Sequence, residues 1–354
     1  MPGPRPPHRA HDRRSLRVVR RGQRRHAPRA AGARLAGPRA RLRAGRCARA
    51  LHAGLRAGRH AQPVGPAAAP PRRAHRAHHA HDRRAGARAD PRRRRRHRRA
   101  AAPLPAPGPG RVKDGAALVT GASRGLGRAI CLELAAQGAR VAFSYTRDDK
   151  GAGQTLEALR ARGGEALAFK VSVVDGPGTE GMVKEIEAAW GRLDVLVNNA
   201  SISQNLPLAL MEEEDWDRVL DVNLKGAFVT SKAVLRGMIW RKAGTILNVG
   251  SLVSVRMLEA PLHYCASKAG LKGLTESLAK EVARYGIRVN CLAPGLLEGG
   301  LGRNLPEHRL ADYLKHCALG RVGTFEEVAR LAAFLVSPAN GYMSGETVVM
   351  DGGV

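Results

Sequence analysis

The strongest constraint on the fold is a strict alternation, from Ala116 onward, of short apolar runs with longer helical patterns. "AALVT" is followed by "LGRAICLELAAQ", then "RVAFS", a helix near 149–162, "ALAFKV" and a helix near 178–190. After these come "DVLVN", a long helix near 215–239, "TILNVG", a helix near 264–285, "IRVNCLAP" and finally "ETVVM". Strands joined through intervening helices pair in parallel with right-handed crossovers, which predicts an α/β, doubly wound parallel sheet with helices on both faces. Ligands of such sheets bind beyond the carboxyl ends of the strands.

Residues 1–110 have no such alternation. They contain 31 Arg, no Lys, 3 Asp, no Glu, 10 His and no aromatic residue, a net charge of +28, whereas residues 111–354 are close to neutral at +2. A segment with that charge and no aromatic side chains cannot bury enough apolar surface to offset its chain entropy, so it is predicted to be disordered in isolation. The remaining residues have an ordinary globular composition and suffice for one α/β domain.

Four readings of the first 110 residues compete. The run Arg92 to Arg96, with Arg98 and Arg99, suits phosphates, but every basic residue here is Arg, whereas nucleic-acid arms mix in Lys. A transit peptide is Arg-rich but also Ser-rich, and Ser15 is the segment's one serine. His75, His78, His79 and His81, with Asp82, could bind a metal ion, yet no folded frame holds them. Arg, Ala, Pro, Gly and His without Lys, Phe, Tyr or Glu is what GC-rich DNA yields when translated outside its proper frame. A mis-set start is therefore the favoured reading, with the protein beginning near Arg111. The start "MPGPRPPHRAHDRRS" lacks the apolar core of a secretory signal, and no run of 18 apolar residues exists. Cys47, Cys131, Cys265, Cys291 and Cys317 are odd in number and show no CxxC pairing, which fits reduced thiols in a cytosolic protein.

The first strand-to-helix turn reads Thr120, Gly121, Ala122, Ser123, Arg124, Gly125, Leu126, Gly127. Its glycines permit a tight turn and close backbone approach, while the following helix offers free N–H groups and its positive dipole end to a pyrophosphate. Between a hydrophobic strand and an amphipathic helix, the turn points to a dinucleotide site. NAD sites usually carry an acidic residue after the second strand, where this chain reads Ser144, Tyr145, Thr146, Arg147. Arg147 and Arg124 are suited to a 2′-phosphate, which favours NADP (NADPH). The competing reading is two solvated surface arginines, with Asp148 and Asp149 able to pair with Arg147.

Tyr264 and Lys268 stand four apart at the start of a helix and so project from one face. A nearby ammonium favours tyrosinate and lowers the phenol pKa, which makes Tyr264 a competent proton donor or acceptor. Alone, the pair is a common helical contact. Its context includes TGASRGLG (120–127), NNA (198–200), DVNLKG with Asn223, and NVGS ending at Ser251, 13 residues before Tyr264. YCASKAG (264–270), VNCLAPG (289–295) and SGETVVMDGG (344–353) follow.

With these motifs, residues 112–354 resemble the short-chain dehydrogenase/reductase family, nearest to its 3-oxoacyl-(acyl-carrier-protein) reductase type. The resemblance implies a Rossmann fold and a tetrad of Asn223, Ser251, Tyr264 and Lys268. Tyr264 would protonate the developing alkoxide while the nicotinamide delivers hydride, and Ser251 would hydrogen-bond the carbonyl oxygen. Lys268 would bind the nicotinamide ribose and tune Tyr264, and Asn223 would hold the water linking Lys268 to solvent. Cofactor contacts are implied for Gly121, Ser123, Arg124, Gly125, Leu126, Gly127, Thr146, Arg147, Val173, Asn199, Ala200, Tyr264, Lys268, Pro294 and Gly295.

The implied activity is NADPH-dependent reduction of a carbonyl, foremost a 3-oxoacyl thioester on acyl carrier protein, in fatty-acid or polyketide-like synthesis. The alternative within the family is an alcohol or sugar dehydrogenase. From another class, an Arg-tailed nucleic-acid-binding protein with an incidental reductase domain remains a reading. The Tyr-x-x-x-Lys spacing disfavours the enoyl reductase branch, where the two residues stand farther apart. A cytoplasmic homotetramer is implied, formed through the helices near 215–239 and 264–285 and the last strand.

Three positions depart from the family pattern: Ser201 replaces the glycine of NNAG, Gly299 replaces a carboxamide-binding Thr, and Ser172 takes the polar position near the adenine, with Asp175 nearby. In the resembling reductases, acyl-carrier-protein docking uses basic residues beside the site mouth. Lys242 matches one of these, and the other falls on Tyr285, next to Arg284. The stretch Leu296–Lys315, which closes over substrate in this family, resists assignment. His263 and Leu262 either line the pocket or serve structure. The acidic run Glu212, Glu213, Glu214, Asp215 and Asp217 suits a helix start better than a metal. Trp190, Trp216 and Trp240 are expected to pack helices against the sheet. N-terminal sequencing of the protein from its native cell should find a first residue near Arg111; recovery of peptides containing Met1 overturns the mis-set start.

Overall fold

The structure, a computed structural model, describes Val112 and residues 114–300 and 305–354. The predicted disorder of residues 1–110 lies outside the described residues. The strands are β1 (Ala116–Val119), β2 (Arg140–Tyr145), β3 (Ala166–Lys170), β4 (Val195–Asn198), β5 (Gly244–Val249), β6 (Ile287–Pro294) and β7 (Thr347–Met350). They form one sheet in the order β3-β2-β1-β4-β5-β6-β7, every pairing parallel. The order reverses between β1 and β4, which opens a crevice at their carboxyl ends.

The helices are α1 (Gly125–Ala136), α2 (Asp149–Arg160), α3 (Gly176–Trp190), α4 (Glu213–Leu220), α5 (Gly226–Arg241), α6 (Leu262–Val282), α7 (Glu307–His316) and α8 (Phe325–Val336). Strand side chains alternate between two apolar layers, as the period of a strand requires. Ala117 and Val119 of β1 pack with Ile130 and Leu134 of α1, Leu159 of α2 and Leu335 of α8. Ala116 and Leu118 face the other way, into Ile186 of α3, Val234 and Met238 of α5 and Val282 of α6. None of the described helices is long and apolar enough to cross a membrane.

The helix predicted near 215–239 differs in an instructive way. It begins at Glu213, with Glu213, Glu214 and Asp215 in its first turn, and is interrupted by a π-helical turn at Asp221–Lys225 before continuing as α5. Close packing surrounds the interruption. A Cβ on Gly226 would lie 2.6 Å from Cγ2 of Val173, and one on Gly270 of α6 would lie 2.7 Å from Cδ2 of Leu224. The extra residue of the turn thus sits where two elements press on the helix. The helix predicted at 264–285 starts at Leu262 and ends in a 3₁₀ turn, Ala283–Tyr285, closed by Gly286 at φ +70°.

Sequence periodicity left α8 unassigned, although its start carried a signal. Thr324 Oγ1 accepts the Glu327 amide at 3.2 Å, and the Glu327 carboxylate accepts the Thr324 amide at 2.9 Å, a reciprocal capping box. Trp190 packs as predicted, under the Arg140 guanidinium at 5.6 Å. Trp240 corrects the expectation: it is 84% exposed, on the side of α5 away from the sheet.

At the far end of α8, Arg288 from β6 donates to the carbonyls of Leu335 (3.1 Å) and Ser337 (3.0 Å) and to Thr245 Oγ1 (3.0 Å). A cation at a helix C-terminus satisfies orphan carbonyls and favours the dipole. Arg288→Met should lower unfolding free energy by about 2–3 kcal/mol, because carbonyls there lose their donor. Urea unfolding should show a lower midpoint at unchanged slope.

Candidate active site

The turn after β1 is held by residues on both sides of the crevice. Thr120, itself buried, accepts the amides of Asn199 and Ala200 on Oγ1, each at 3.0 Å. Asn199 Nδ2 donates back to the carbonyls of Thr120 (2.9 Å) and Gly121 (3.1 Å). The fit leaves no room for side chains: a Cβ at Gly121 would lie 2.7 Å from Cα of Ala200, and one at Gly127 would lie 2.5 Å from Asn199 Nδ2. Gly121 and Gly125 also take positive φ, +68° and +57°, which L side chains rarely adopt.

This cradle fits a dinucleotide. Helix α1 has no side-chain N-cap and no acidic residue in its first turn, whereas α2 and α3 are capped by Asp148 and Asp175. Free amides and an uncompensated dipole end suit a pyrophosphate. A residue the sequence reading missed braces the turn from behind: Arg128 of α1 donates to the carbonyls of Ser123 (2.7 Å) and Gly151 (3.0 Å) and to Thr155 Oγ1 (2.9 Å). Leu126 packs against the core beneath.

Arg124, Thr146 and Arg147 are exposed, on the turns that follow adjacent strands β1 and β2. The two aspartates that follow Arg147 make contacts of their own. Asp148 caps α2 through the Gly151 amide at 2.8 Å, and Asp149 pairs with Lys170 at 2.6 Å. Asp175 is likewise used as a helix cap, accepting the Gly178 amide at 3.0 Å, and Val173 is buried against Gly226.

At the end of β6, Pro294 is buried and the Gly295 amide donates to the Met350 carbonyl at 2.9 Å. Tyr313 of α7 accepts the Leu296 amide on its hydroxyl at 2.9 Å, which fastens the stretch that follows Gly295. Arg309 of the same helix pairs with Glu259 at 2.5 Å, so α7 is joined to the loop between Ser251 and Tyr264. No sequence period marked these contacts.

The four tetrad positions converge beyond the carboxyl end of β5. Ser251 leaves the strand in extended conformation and starts the 3₁₀ turn Leu252–Ser254. Tyr264 and Lys268 occupy the first two turns of α6, with Lys268 Nζ 5.7 Å from the Tyr264 ring centroid. Lys268 is buried and donates to the Val249 carbonyl at 2.7 Å. Asn223 sits in the π turn, its carboxamide paired reciprocally with the Ile202 backbone at 2.8 and 2.9 Å and donating to Ser267 Oγ at 3.0 Å. His263 is buried and accepts the Tyr264 amide on Nδ1 at 2.9 Å, a structural contact, while Leu262 is 45% exposed.

Two expectations need correction. Burial pushes the Tyr264 phenol up, opposed by a hydrogen bond with Ser251 that pulls it down, so the lysine four residues on does not set its direction. The ammonium is instead turned to a backbone carbonyl. Second, Lys242 ends α5 just before β5, and Arg284 and Tyr285 precede β6. They lie at the amino ends of the strands, whereas Ser251 follows the carboxyl end of β5. Lys242 and Arg284 therefore lie at the opposite end of the sheet from Ser251.

The family profile described as enoyl-(acyl carrier protein) reductase matches residues 121–354. The 3-oxoacyl-(acyl-carrier-protein) reductase of Staphylococcus aureus is 38% identical over 239 residues, 68% of this chain and 97% of that protein. Its namesake from Escherichia coli K12 is 40% identical over 238 residues, 67% and 96% of the two chains. Among solved structures, a putative short-chain alcohol dehydrogenase from Sinorhizobium meliloti shares 35% identity at TM-score 0.66, covering 69% of this chain and 97% of its own. A double mutant of a Serratia marcescens short-chain dehydrogenase/reductase shares 32% at 0.64, covering 68% and 98%.

Burial lowers the Lys268 ammonium from its ordinary 10.5 to about 8. Between these values the unfolded chain keeps this proton and the folded chain does not, so unfolding free energy rises with pH through that window. The gain is on the order of 3 kcal/mol across it. Relative to Lys268→Met, the parent protein should grow more stable from pH 8 to 10; parallel urea-stability curves would refute the buried, deprotonating lysine.

Proposed function

The chain belongs to the short-chain dehydrogenase/reductase family, and from that premise we propose that it reduces the ketone of a 3-oxoacyl thioester with NADPH, in fatty-acid or polyketide-like synthesis. It is an oxidoreductase, and its curated relatives support a carbonyl reductase. The observation that carries the proposal is the convergence of Ser251, Tyr264 and Lys268 beyond β5, beside a crevice shaped for a dinucleotide.

The amides opening α1, with Gly121, Ser123, Gly125, Leu126 and Gly127 around them, would hold the pyrophosphate. Arg124, Thr146 and Arg147 would hold the 2′-phosphate, Val173 would border the adenine, and Asn199, Ala200, Pro294 and Gly295 would border the nicotinamide ribose. Bound there, NADPH supplies hydride to the carbonyl carbon. Ser251 Oγ donates a hydrogen bond to the carbonyl oxygen, where negative charge develops. Tyr264 Oη donates its proton to that oxygen. Burial keeps the phenol protonated and so available as a donor, and the Ser251 hydrogen bond offsets part of the acidity that burial removes. Lys268 would bind ribose hydroxyls of the cofactor and re-protonate Tyr264. Asn223 uses its carboxamide to hold Ile202 and Ser267, so its part in the proposed water link falls to its remaining lone pairs.

The Tyr264–Lys268 spacing supports ketone rather than enoyl reduction, even though the matching profile carries the enoyl name. A second reading, an alcohol dehydrogenase, draws on the likeness to the Sinorhizobium short-chain alcohol dehydrogenase and on Lys242 and Arg284 lying at the far end from Ser251. A cytoplasmic homotetramer through α4, α5, α6 and β7 remains part of the proposal, supported by exposed Phe228 and Trp240 on α5.

NADPH oxidation followed with 3-oxoacyl thioesters, simple ketones and sugars separates the two readings. Thioesters should give the highest kcat/KM; preference for free ketones or sugars overturns the substrate assignment. Tyr264→Phe should lower kcat about 100-fold or more, and undiminished turnover refutes the mechanism. Arg124→Ala and Arg147→Ala should each raise the KM for NADPH about tenfold, the loss of one charge-assisted contact, with little change for NADH.

A further inference from the structure

Ser267 is fully buried, three residues after Tyr264 and one before Lys268. Its hydroxyl makes two bonds of different reach. Oγ donates to the Tyr264 carbonyl at 2.8 Å, within α6, and accepts Asn223 Nδ2 at 3.0 Å from the π turn. The first is an ordinary back-bond of a helical serine. The second crosses between elements, and through Asn223 it reaches the loop after β4, where Ile202 both donates to and accepts from the same carboxamide. One turn further along α6, Gly270 lies under Leu224, so the π turn and α6 meet at two adjacent points.

The placement of Tyr264 against Ser251 depends on where the first turns of α6 stand relative to β5. Lys268 Nζ on the Val249 carbonyl is one tie, but that ammonium is also the group expected to act on cofactor and phenol. The hydroxyl of Ser267, which has no chemical duty of its own, makes a second tie.

Resting on the reductase reading above, we propose that Ser267 is a positioning residue that sets the Tyr264 phenol against Ser251 by fastening α6 to the π turn through Asn223. A buried donor, acceptor and carboxamide in series hold their geometry more tightly than any one bond. Displacement of a reacting group by about 1 Å costs on the order of 100-fold in rate.

Three readouts are compared in the parent protein, Ser267→Ala and Ser267→Thr. They are steady-state NADPH oxidation with a 3-oxoacyl thioester, NADPH binding by nicotinamide fluorescence, and ultraviolet difference titration of tyrosinate with Tyr264→Phe as the blank. Ser267→Ala should lower kcat about 10- to 100-fold while the Kd for NADPH stays within about twofold, and the Tyr264 titration should move upward as the Ser251 contact loosens. Ser267→Thr, which keeps the hydroxyl, should restore most of kcat. Should the alanine variant fail to fold, Ser267→Cys supplies the same readouts at nearly equal volume. Unchanged kcat overturns the proposal, as does a loss in which kcat, NADPH affinity and Tm fall together and threonine rescues nothing. If the parent protein turns over no thioester, the reductase reading fails instead. The titration then decides alone, and an unmoved Tyr264 curve in Ser267→Ala overturns the positioning role.

Discussion

Thr120 and Asn199 clasp one another across the crevice between β1 and β4, and the rest of the site is referred to that clasp. The sheet order reverses there, so no helix passes between the carboxyl ends of the two strands and their terminal groups must bond to each other. The bonds draw the chain so close that Gly121 and Gly127 admit no side chain. The bareness that makes the cradle suitable for a pyrophosphate follows from this contact as much as from the ligand.

A second set of buried polar bonds holds the other half. Asn198 Nδ2 donates to Asn248 Oδ1 at 2.9 Å and to Ser231 Oγ at 3.1 Å, and Asn248 Nδ2 donates to Thr275 Oγ1 at 2.8 Å. These side chains come from β4, β5, α5 and α6, the last of which carries Tyr264 and Lys268. Each buried amide is partnered, and an unpartnered one would cost about 1–3 kcal/mol. Such a network is directional where apolar packing is not, and so it fixes register between elements that grease alone would let slide.

The sheet and its parallel sense were legible because they rest on period, and the shared face of Tyr264 and Lys268 because it rests on spacing, whereas Asn223 and Ser251 entered only through the family resemblance. Apolar runs spaced by helices force parallel pairing, and Tyr264 and Lys268 four apart must share a face. What was not legible depends on contacts between distant residues. The π turn at Asp221–Lys225 lies where Val173 meets Gly226 and Leu224 meets Gly270, contacts between distant residues, in a helix whose own sequence reads as continuous. Arg128 reads in the sequence as any helical arginine, because its carbonyl partners lie on the β1–α1 turn and in the first turn of α2. The upward displacement of Tyr264 was missed for the same reason: a sequence reveals a neighbouring charge but not the enclosure that outweighs it. Only α8 was overlooked despite a local signal, the Thr324 to Glu327 box.

The π turn also makes the number of residues between Glu213 and Arg241 a structural quantity in its own right. A π turn takes up one residue more than an α turn, so losing one residue within Asp221–Lys225 would leave Val234 and Met238 facing the sheet. Losing one between Gly226 and Val234 would instead turn the rest of α5 by about 100° and carry Met238 off the sheet. Within this stretch the π turn is the one place where length can change and leave the sheet-facing side chains where they are.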